Sequence, residues 1–156
     1  MFCDRGGAVV ESRKRGMRMQ DRYLFRGKRL DNGEWVYGNL IRSNDSEVGY
    51  EAIVIPTNDS NMYAKGEGRG DLGFENWHRV NETTICQCTG YEGIYEKDIF
   101  RCEDEDYVIK WSDDSLRWEA TSLETDVSVP LGDINPDYMV VIGNEIDNPE
   151  LLEVQK

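Results

Sequence analysis

The stretch YLFRGKRLDNGEWVYGNLI, Tyr23–Ile41, decides the fold class because it places an Asn-Gly pair between two segments rich in aromatic and aliphatic residues. Asn32-Gly33 tolerates the positive φ angles that a two-residue hairpin loop requires, so the stretch predicts a β-hairpin. Side chains alternate between the two faces of a strand. Trp35 and Tyr37 are therefore expected on one face of the second strand, and Val36 on the other.

Further strands are predicted after this hairpin. Gly38 is a candidate β-bulge or close backbone approach. The run Val48–Ile55 is expected to end at Pro56, because proline has no amide hydrogen to donate to a β-ladder. The polar, glycine-rich residues Thr57–Asn76 predict a long surface loop, with one short ordered piece at 61–64.

The remainder of the chain predicts short antiparallel strands. Spacings of roughly ten residues, with turn residues between them, favour a mainly β fold, either a meander or a partly closed small barrel. Asn148-Pro149-Glu150 is typical of the start of a short C-terminal helical turn. The predicted strands are Thr83–Cys88, Asp98–Cys102, Tyr107–Ser112, Leu116–Ser122 and Tyr138–Asn144.

The length of 156 residues fits one ordinary domain. Residues 1–19 lack clear periodicity and are predicted to form a flexible basic extension, which is either a natural arm or the product of a misplaced start codon. The β-rich domain is expected to span residues 20–156. No apolar run approaches the roughly 20 residues of a membrane-spanning helix, and charges interrupt the N-terminal segment, so the chain is predicted to be cytoplasmic, without a membrane partner.

Charge is unevenly distributed along the sequence. Residues 1–30 contain nine Lys and Arg against three acidic residues, whereas the rest contains nine against twenty-eight, for a net charge of −13 overall. Nucleic-acid affinity arises largely from Lys and Arg neutralising phosphates, so direct DNA or RNA binding by the acidic body is disfavoured. The basic first hairpin, with Arg22, Arg26, Lys28 and Arg29, remains a candidate nucleic-acid contact.

The four cysteines and the single histidine leave two interpretations open. Cys3, Cys86, Cys88 and Cys102 are most simply reduced thiols in a chain without signs of secretion. Cys86, Cys88, Cys102 and His78 are also ligand types for zinc, although C-x-C lacks the usual spacer of structural zinc sites. A third reading makes Cys86 or Cys88 a nucleophile with His78 as its base.

Two acidic groups also offer chemistry. Glu96 and Asp98, two residues apart on a predicted strand, could serve as acid and base or hold a divalent metal. Glu103–Asp106, with the sequence EDED, could bind Ca²⁺, but charged connections of this kind usually face solvent.

Five segments in a fixed order resemble a known family. They are FRGK (25–28), NGEWVYG (32–38), TGYEGIYEKDIF (89–100), VIKW (108–111) and VIGNEIDNPELL (141–152). Together they are similar to the YopX family of phage and mobile-element proteins, from about residue 20 to the end, with 57–76 matching poorly. The resemblance implies no established activity, cofactor or catalytic residue.

One segment departs from the family pattern. Relatives usually read T-G-L, a short insertion and then I-Y-E-G-D-I, whereas here the insertion is missing and Lys97 replaces the glycine. If that glycine has a positive φ angle, either Lys97 adopts it at a cost or the turn is built differently. Thr89–Glu96 is interpreted as a turn that steers the chain, Asp98 as an acceptor for backbone amides, and Ile99 as a core residue.

These observations favour a non-enzymatic protein-interaction or self-assembling module with an acidic surface. No catalytic, cofactor-binding or metal-binding residue is assigned. The aromatic residues Trp35, Tyr37, Trp77, Trp111 and Trp118 either fill the core or supply exposed contact surface. Unpaired strand edges favour a homo-oligomer. The alternative is a small-barrel nucleic-acid-binding protein that uses the basic first hairpin, and an enzyme dependent on carboxylates or a metal is the third hypothesis.

Overall fold

A computed structural model describes residues 21–43, 52–57, 61–64 and 72–153 of the chain. These residues divide into two compact units: Arg22–Gln87 form the first, and the described residues of Cys88–Lys156 lie in the second. Residues 1–19, predicted as a flexible extension, lie outside the described ranges. None of the helices in the described ranges has the length and apolar character needed to cross a membrane.

The first unit contains a five-stranded antiparallel sheet with the order β6-β3-β2-β1-β7 and a separate two-stranded sheet, β4-β5. Its core consists of Val36, Ala52, Val54 and Val80, which are buried together against Leu40 and Ile85. The strands are β1 (Phe25–Lys28), β2 (Trp35–Arg42), β3 (Ala52–Pro56), β4 (Met62–Ala64), β5 (Leu72–Phe74), β6 (His78–Arg79) and β7 (Cys86–Gln87).

The predicted first hairpin is confirmed, but its loop is longer than the sequence indicated. β1 and β2 pair antiparallel with Lys28 opposite Trp35. The amide of Arg29 donates to Glu34 O at 2.9 Å and the amide of Gly33 donates to Arg29 O at 3.0 Å. Residues 30–33 therefore form a four-residue loop, in which only Gly33 has a positive φ angle, of 72°. The prediction of a two-residue loop is wrong, since the type I′ loop that Asn-Gly favours needs a positive φ angle at both residues and Asn32 does not have one.

Gly38 is required by a close backbone approach, which was one of the two predicted alternatives. β2 pairs with β3 with Gly38 opposite Pro56. A Cβ atom at position 38 would lie 1.9 Å from Ile55 O, far inside any van der Waals contact. β3 ends at Pro56, as predicted, and residues 48–51 of the predicted run lie outside the described residues.

The polar stretch after Pro56, predicted as a long loop with one short ordered piece, contains two short strands. Met62–Ala64 pair with Leu72–Phe74 as strands β4 and β5. Asn61 is buried and its side-chain amide donates to Pro56 O at 2.8 Å and to Asn76 O at 2.9 Å, while its Oδ1 accepts from the Asn76 amide at 2.6 Å. This one side chain therefore joins both ends of the β4–β5 hairpin.

The second unit contains a five-stranded antiparallel sheet with the order β11-β10-β9-β8-β12. Phe100, Ile109, Ala120 and Leu131 are fully or almost fully buried in its core, together with Ile94, Cys102, Ile134 and Met139. Three of its connections are direct antiparallel hairpins, which makes the sheet a meander completed by β12 beside β8. The strands are β8 (Asp98–Cys102), β9 (Glu105–Ser112), β10 (Arg117–Ser122), β11 (Ser128–Pro130) and β12 (Val140–Asn144).

The mainly β fold and the meander are confirmed, and neither five-stranded sheet closes into a barrel within the described ranges. An isolated bridge joins Arg29, just after β1, to Val80, just after β6, so the first sheet curls toward itself. Proline at the start of Pro149–Leu152 begins the predicted C-terminal helical turn, which is a short 3-10 helix.

The predicted strand Thr83–Cys88 is mostly wrong. Glu82–Thr84 form a 3-10 turn, and only Cys86–Gln87 belong to a strand. The cause is local, because the side chain of Asn81 accepts a hydrogen bond from the Thr83 amide at 3.1 Å and caps the turn. At the C-terminal side, the predicted strand from Tyr138 begins only at Val140, because Pro136–Tyr138 form another capped 3-10 turn.

Candidate functional site

Trp35 is the centre of a cationic and aromatic cluster on the first hairpin. Arg26 and Lys28 lie two residues apart on β1 and share one face, and their charged groups lie 4.6 and 5.3 Å from the centre of the Trp35 ring. Such distances give cation–π attraction. Arg26 is only 6% exposed, so this member of the predicted basic contact is engaged inside the protein. Tyr37 lies opposite Arg26 and is exposed.

His78 lies beside an open cleft of about 380 Å³, lined by Leu30, Asp31, Trp77, His78 and Arg79. Burial lowers the pKa of the half-buried His78, and the positive charge of Arg29 lowers it further, whereas Asp31 opposes the change. Arg29 Nε and one terminal nitrogen donate to the two carboxylate oxygens of Asp31 at 2.9 and 2.5 Å. This hydrogen bonding holds the pKa of the Asp31 carboxyl below its ordinary value.

The cysteines are buried thiols. Cys86 Sγ donates to Thr84 O at 3.3 Å, and Cys88 Sγ donates to Tyr91 O at 3.5 Å. Cys102 belongs to the core of the second unit. Cys3 lies outside the described residues.

The zinc site and the cysteine–histidine pair suggested by the sequence are not assembled. Among the described residues, no three His, Cys, Asp or Glu side chains come together closely enough to hold a metal ion. His78 lies opposite Val54 on β3, whereas Cys86 lies opposite Arg26 on β1. The two residues therefore occupy the outer strands at opposite ends of the first sheet's strand order.

Asp98 has a structural role, which was the alternative to acid–base chemistry. Its side chain is 1% exposed, and Oδ2 accepts a hydrogen bond from the Tyr95 amide at 2.8 Å. The carboxylate thus satisfies a buried backbone donor of its own turn. Ile99 is fully buried, as predicted.

The EDED segment divides between a turn and a strand, so its interpretation as one connection is wrong. Glu103 has a positive φ angle, and β9 begins at Glu105. Glu105 accepts hydrogen bonds from Ser122 Oγ at 2.5 Å and from Tyr107 Oη at 2.6 Å, which lower the pKa of Glu105. Asp106 accepts two hydrogen bonds from Arg101, at 2.7 and 2.8 Å. Two of the four carboxylates are therefore used for internal contacts.

Trp111 forms an exposed aromatic surface at the end of the β9–β10 hairpin. It lies opposite Trp118, with the two ring centres 5.1 Å apart in an edge-to-face arrangement. Trp118 packs against the core of the second unit, which holds the neighbouring ring in place. Leu116, in the hairpin turn, is 75% exposed.

The family model described as YopX protein matches residues 24–153. The chain belongs to the YopX family. No curated protein and no solved structure matches it significantly.

In this YopX-family chain Lys97 adopts the backbone conformation that favours glycine. Its φ angle is 66°. Its amide donates to Ile109 O at 2.9 Å, and its carbonyl accepts from the Glu145 amide at 2.9 Å, so contacts on both sides hold the strained residue in place. The first of the two predicted outcomes is therefore observed.

The YopX-family chain concentrates its acidic residues in the second unit. Residues 88–156 contain eighteen acidic and five basic residues, whereas residues 22–87 contain ten and eight. The excess negative charge predicted for the whole body thus belongs to the unit that carries Trp111.

The cleft beside His78 was missed at the level of sequence, although His78 and Trp77 had each been considered for another role. The cleft depends on the bridge between Arg29 and Val80, which joins residues about fifty positions apart. No local sequence pattern predicts that bridge. The single histidine and the tryptophan before it were therefore the only features of the cleft that the sequence showed.

Proposed function

We propose that the chain is a phage or mobile-element protein of the cytoplasm that acts by binding another protein rather than by catalysis. The second unit supplies the contact surface, and the partner presents a basic surface. The observation that carries the proposal is the exposed Trp111, 43% accessible, at the tip of a hairpin in a unit with eighteen acidic residues.

The geometry around Trp111 favours recognition of a protein. Tryptophan is enriched among the residues that contribute most to protein interfaces, and it binds Lys and Arg side chains through its ring face. Asp113 and Asp114 in the adjoining turn are exposed. Their charges attract a basic partner and repel phosphate backbones. Mimicry of nucleic acid at a basic protein site is one form of this function.

Affinity capture of the tagged chain from a host lysate tests the proposal at two ionic strengths, with and without nuclease. We expect a basic protein to be retained at low salt, both with and without nuclease. The same protein should be lost at high salt. Trp111→Ala should abolish retention, whereas Tyr138→Ala should preserve it, since Tyr138 is 45% exposed in the same unit. Retention that needs nucleic acid would contradict the proposal and favour the basic hairpin alternative.

Self-assembly is a second candidate, favoured by one observation. The outer strands of the two five-stranded sheets are β6, β7, β11 and β12, and the first three have only two or three residues. Short outer strands discourage edge pairing. β12 has five residues and an exposed Val140, so it is the edge that suits pairing with a second copy.

A further inference from the structure

The cleft beside His78 is built from two segments that the backbone holds together. One wall is the β1–β2 loop with Leu30 and Asp31, and the other is the segment Trp77–Arg79. The amide of Leu30 donates to Arg79 O at 3.0 Å, and the bridge between Arg29 and Val80 continues the pairing. Because backbone hydrogen bonds join the walls, the cleft is formed before any ligand arrives.

Apolar surface is exposed at the cleft. Trp77 is 47% exposed and Leu30 is 56% exposed, although both lie next to charged groups. A tryptophan ring in an open cleft offers a flat face on which another planar ring can stack.

The charges of the cleft favour an anion. Arg79 lines it and Arg29 adjoins it, while Asp31 is the one carboxylate among the described lining residues and Glu34 acts on Arg29 from outside the cleft. Burial, and then the charge of Arg29, lower the pKa of His78, which favours the uncharged imidazole. Burial is the main cause of this shift, and only the smaller part that comes from the charge of Arg29 also favours a negatively charged ligand.

We propose that this cleft binds a planar aromatic anion of about mononucleotide size, with the ring against Trp77 and the anionic group toward Arg79 and Arg29. The volume of about 380 Å³ lies in the usual range for small-ligand sites. All of the described lining residues belong to the first unit, so the experiments on this cleft are separate from those on protein binding through Trp111.

Asp31 regulates the strength of this site. It neutralises Arg29 through two hydrogen bonds, and a ligand anion competes with it for the same guanidinium group. Removal of the Asp31 charge should therefore strengthen ligand binding, which is the reverse of what a merely structural ion pair would give.

His78 provides the readout, because it is the only histidine in the chain and gives a single set of imidazole NMR signals. We expect adenosine 5′-monophosphate to shift these signals and to raise the pKa of His78, since an anion stabilises the imidazolium ion. Adenosine should shift the signals without raising the pKa. If millimolar adenosine 5′-monophosphate left the imidazole signals of the wild-type chain unchanged, the proposal would be overturned.

Variants then locate the ligand. Trp77→Leu should weaken nucleotide binding about 10-fold, as expected for loss of a stacking partner. Arg79→Gln should weaken it about 3-fold and Asp31→Asn should tighten it about 3-fold, which are typical effects of exposed charges. Tyr37→Leu is the matched control, since Tyr37 is 46% exposed in the same unit and lies outside the cleft.

Equal losses for Trp77→Leu and Tyr37→Leu would also overturn the proposal. A short single-stranded oligonucleotide distinguishes the two sources of such a ligand. Binding much tighter than that of the mononucleotide assigns the site to a nucleic-acid strand, and equal binding assigns it to a free nucleotide. The circular dichroism spectrum of each variant serves as the control for folding.

Discussion

The Tyr95 amide donates to Asp98 Oδ2 at 2.8 Å, and the Asp98 amide donates back to Tyr95 O at 3.1 Å. Both residues are buried, with exposures of 7% and 1%. This reciprocal pair closes a four-residue turn at the entrance to β8. Because the turn places Ile99 and Phe100 in register for the sheet, its chemistry is a folding requirement, which explains why an acidic residue is buried here.

Asp98→Ala should destabilise the second unit by about 2 kcal/mol, because it leaves the buried Tyr95 amide without its acceptor. Asp98→Asn retains an oxygen at the same position and should cost less. The urea midpoints of unfolding of the wild type and the two variants, measured by circular dichroism, check this order of stability. An alanine variant as stable as the wild type would contradict the assigned role.

Lys97→Gly should stabilise the chain by about 1 kcal/mol. A positive φ angle at the third position of a four-residue turn favours glycine, and an L-residue pays about 1–2 kcal/mol there. Part of the gain is lost to the greater freedom of glycine in the unfolded state.

Lys97→Ala is the control for this prediction, because it removes the side-chain contacts of Lys97 but keeps the Cβ atom. Urea unfolding of both variants separates backbone strain from side-chain effects. If the glycine variant were no more stable than the alanine variant, the φ angle of 66° would not be a source of strain.

Gly38→Ala should destabilise the first unit by about 3 kcal/mol or more, since the new methyl group would overlap Ile55 O and force β2 and β3 apart. Gly132→Ala is the matched control. A Cβ atom at Gly132 meets no atom within 4 Å, so that variant should unfold at nearly the wild-type midpoint. Equal effects of the two substitutions would exclude steric overlap as the cause.

Sequence patterns predicted several parts of the fold that depend on neighbouring residues, but they missed the two 3-10 turns capped by Asn81 and Asn135. Asn32-Gly33 located the first hairpin, and Pro56 located the end of β3. The departure at Lys97 from the family pattern left two outcomes open, a strained residue or a turn built differently, and the first is observed. The patterns failed where distant partners decide the structure. β11 has only three residues, and it is a strand because it pairs with β10.

The two candidate sites also differ in whether neighbouring or distant residues form them. Trp111 and the acidic turn beside it lie within a few residues of each other, so their combination is visible in the sequence. The His78 cleft unites Leu30 with Trp77 through the pairing of Arg29 and Val80, and its parts are unremarkable until that bridge forms. The C-x-C spacing of Cys86 and Cys88 is compatible with a strand, and the simplest interpretation of the cysteines, as reduced thiols, agrees with the free, buried thiols of the described residues.

Lowering the pH should reveal how much the hydrogen bonds to Glu105 contribute to the stability of the second unit. Because Ser122 and Tyr107 lower the pKa of Glu105 in the folded state, their stabilisation is complete above the ordinary pKa of 4.5 and is lost as the pH falls through the folded value. Tyr107→Phe removes one donor and retains the ring that stacks on Phe100. We expect this variant to be less stable than the wild type at pH 7.

The difference between the free energies of unfolding of the two proteins should narrow as the pH falls from 4.5 through the folded pKa of Glu105, because Glu105 then becomes protonated in both proteins. Unfolding midpoints measured from pH 7 to pH 3 check this. Tyr91→Phe, a change of the same kind at the edge of the same core, should give a difference that does not vary with pH. A Tyr107→Phe difference equally independent of pH would show that the hydroxyl does not act through Glu105.

The last prediction concerns the pairing of two copies of the chain through the edge strand β12. The turn after β12 covers the end of this edge, since the Asn144 amide donates to Asn148 Oδ1 at 3.3 Å, so only residues 140–143 remain for a second copy. If two copies pair there, the wild type should sediment as a dimer, and Val140→Lys should be a monomer because an edge lysine opposes strand pairing. Val127→Lys is the matched control, with 58% exposure against 61% for Val140 in the same unit, and should remain dimeric. A monomeric wild type would contradict pairing through this edge.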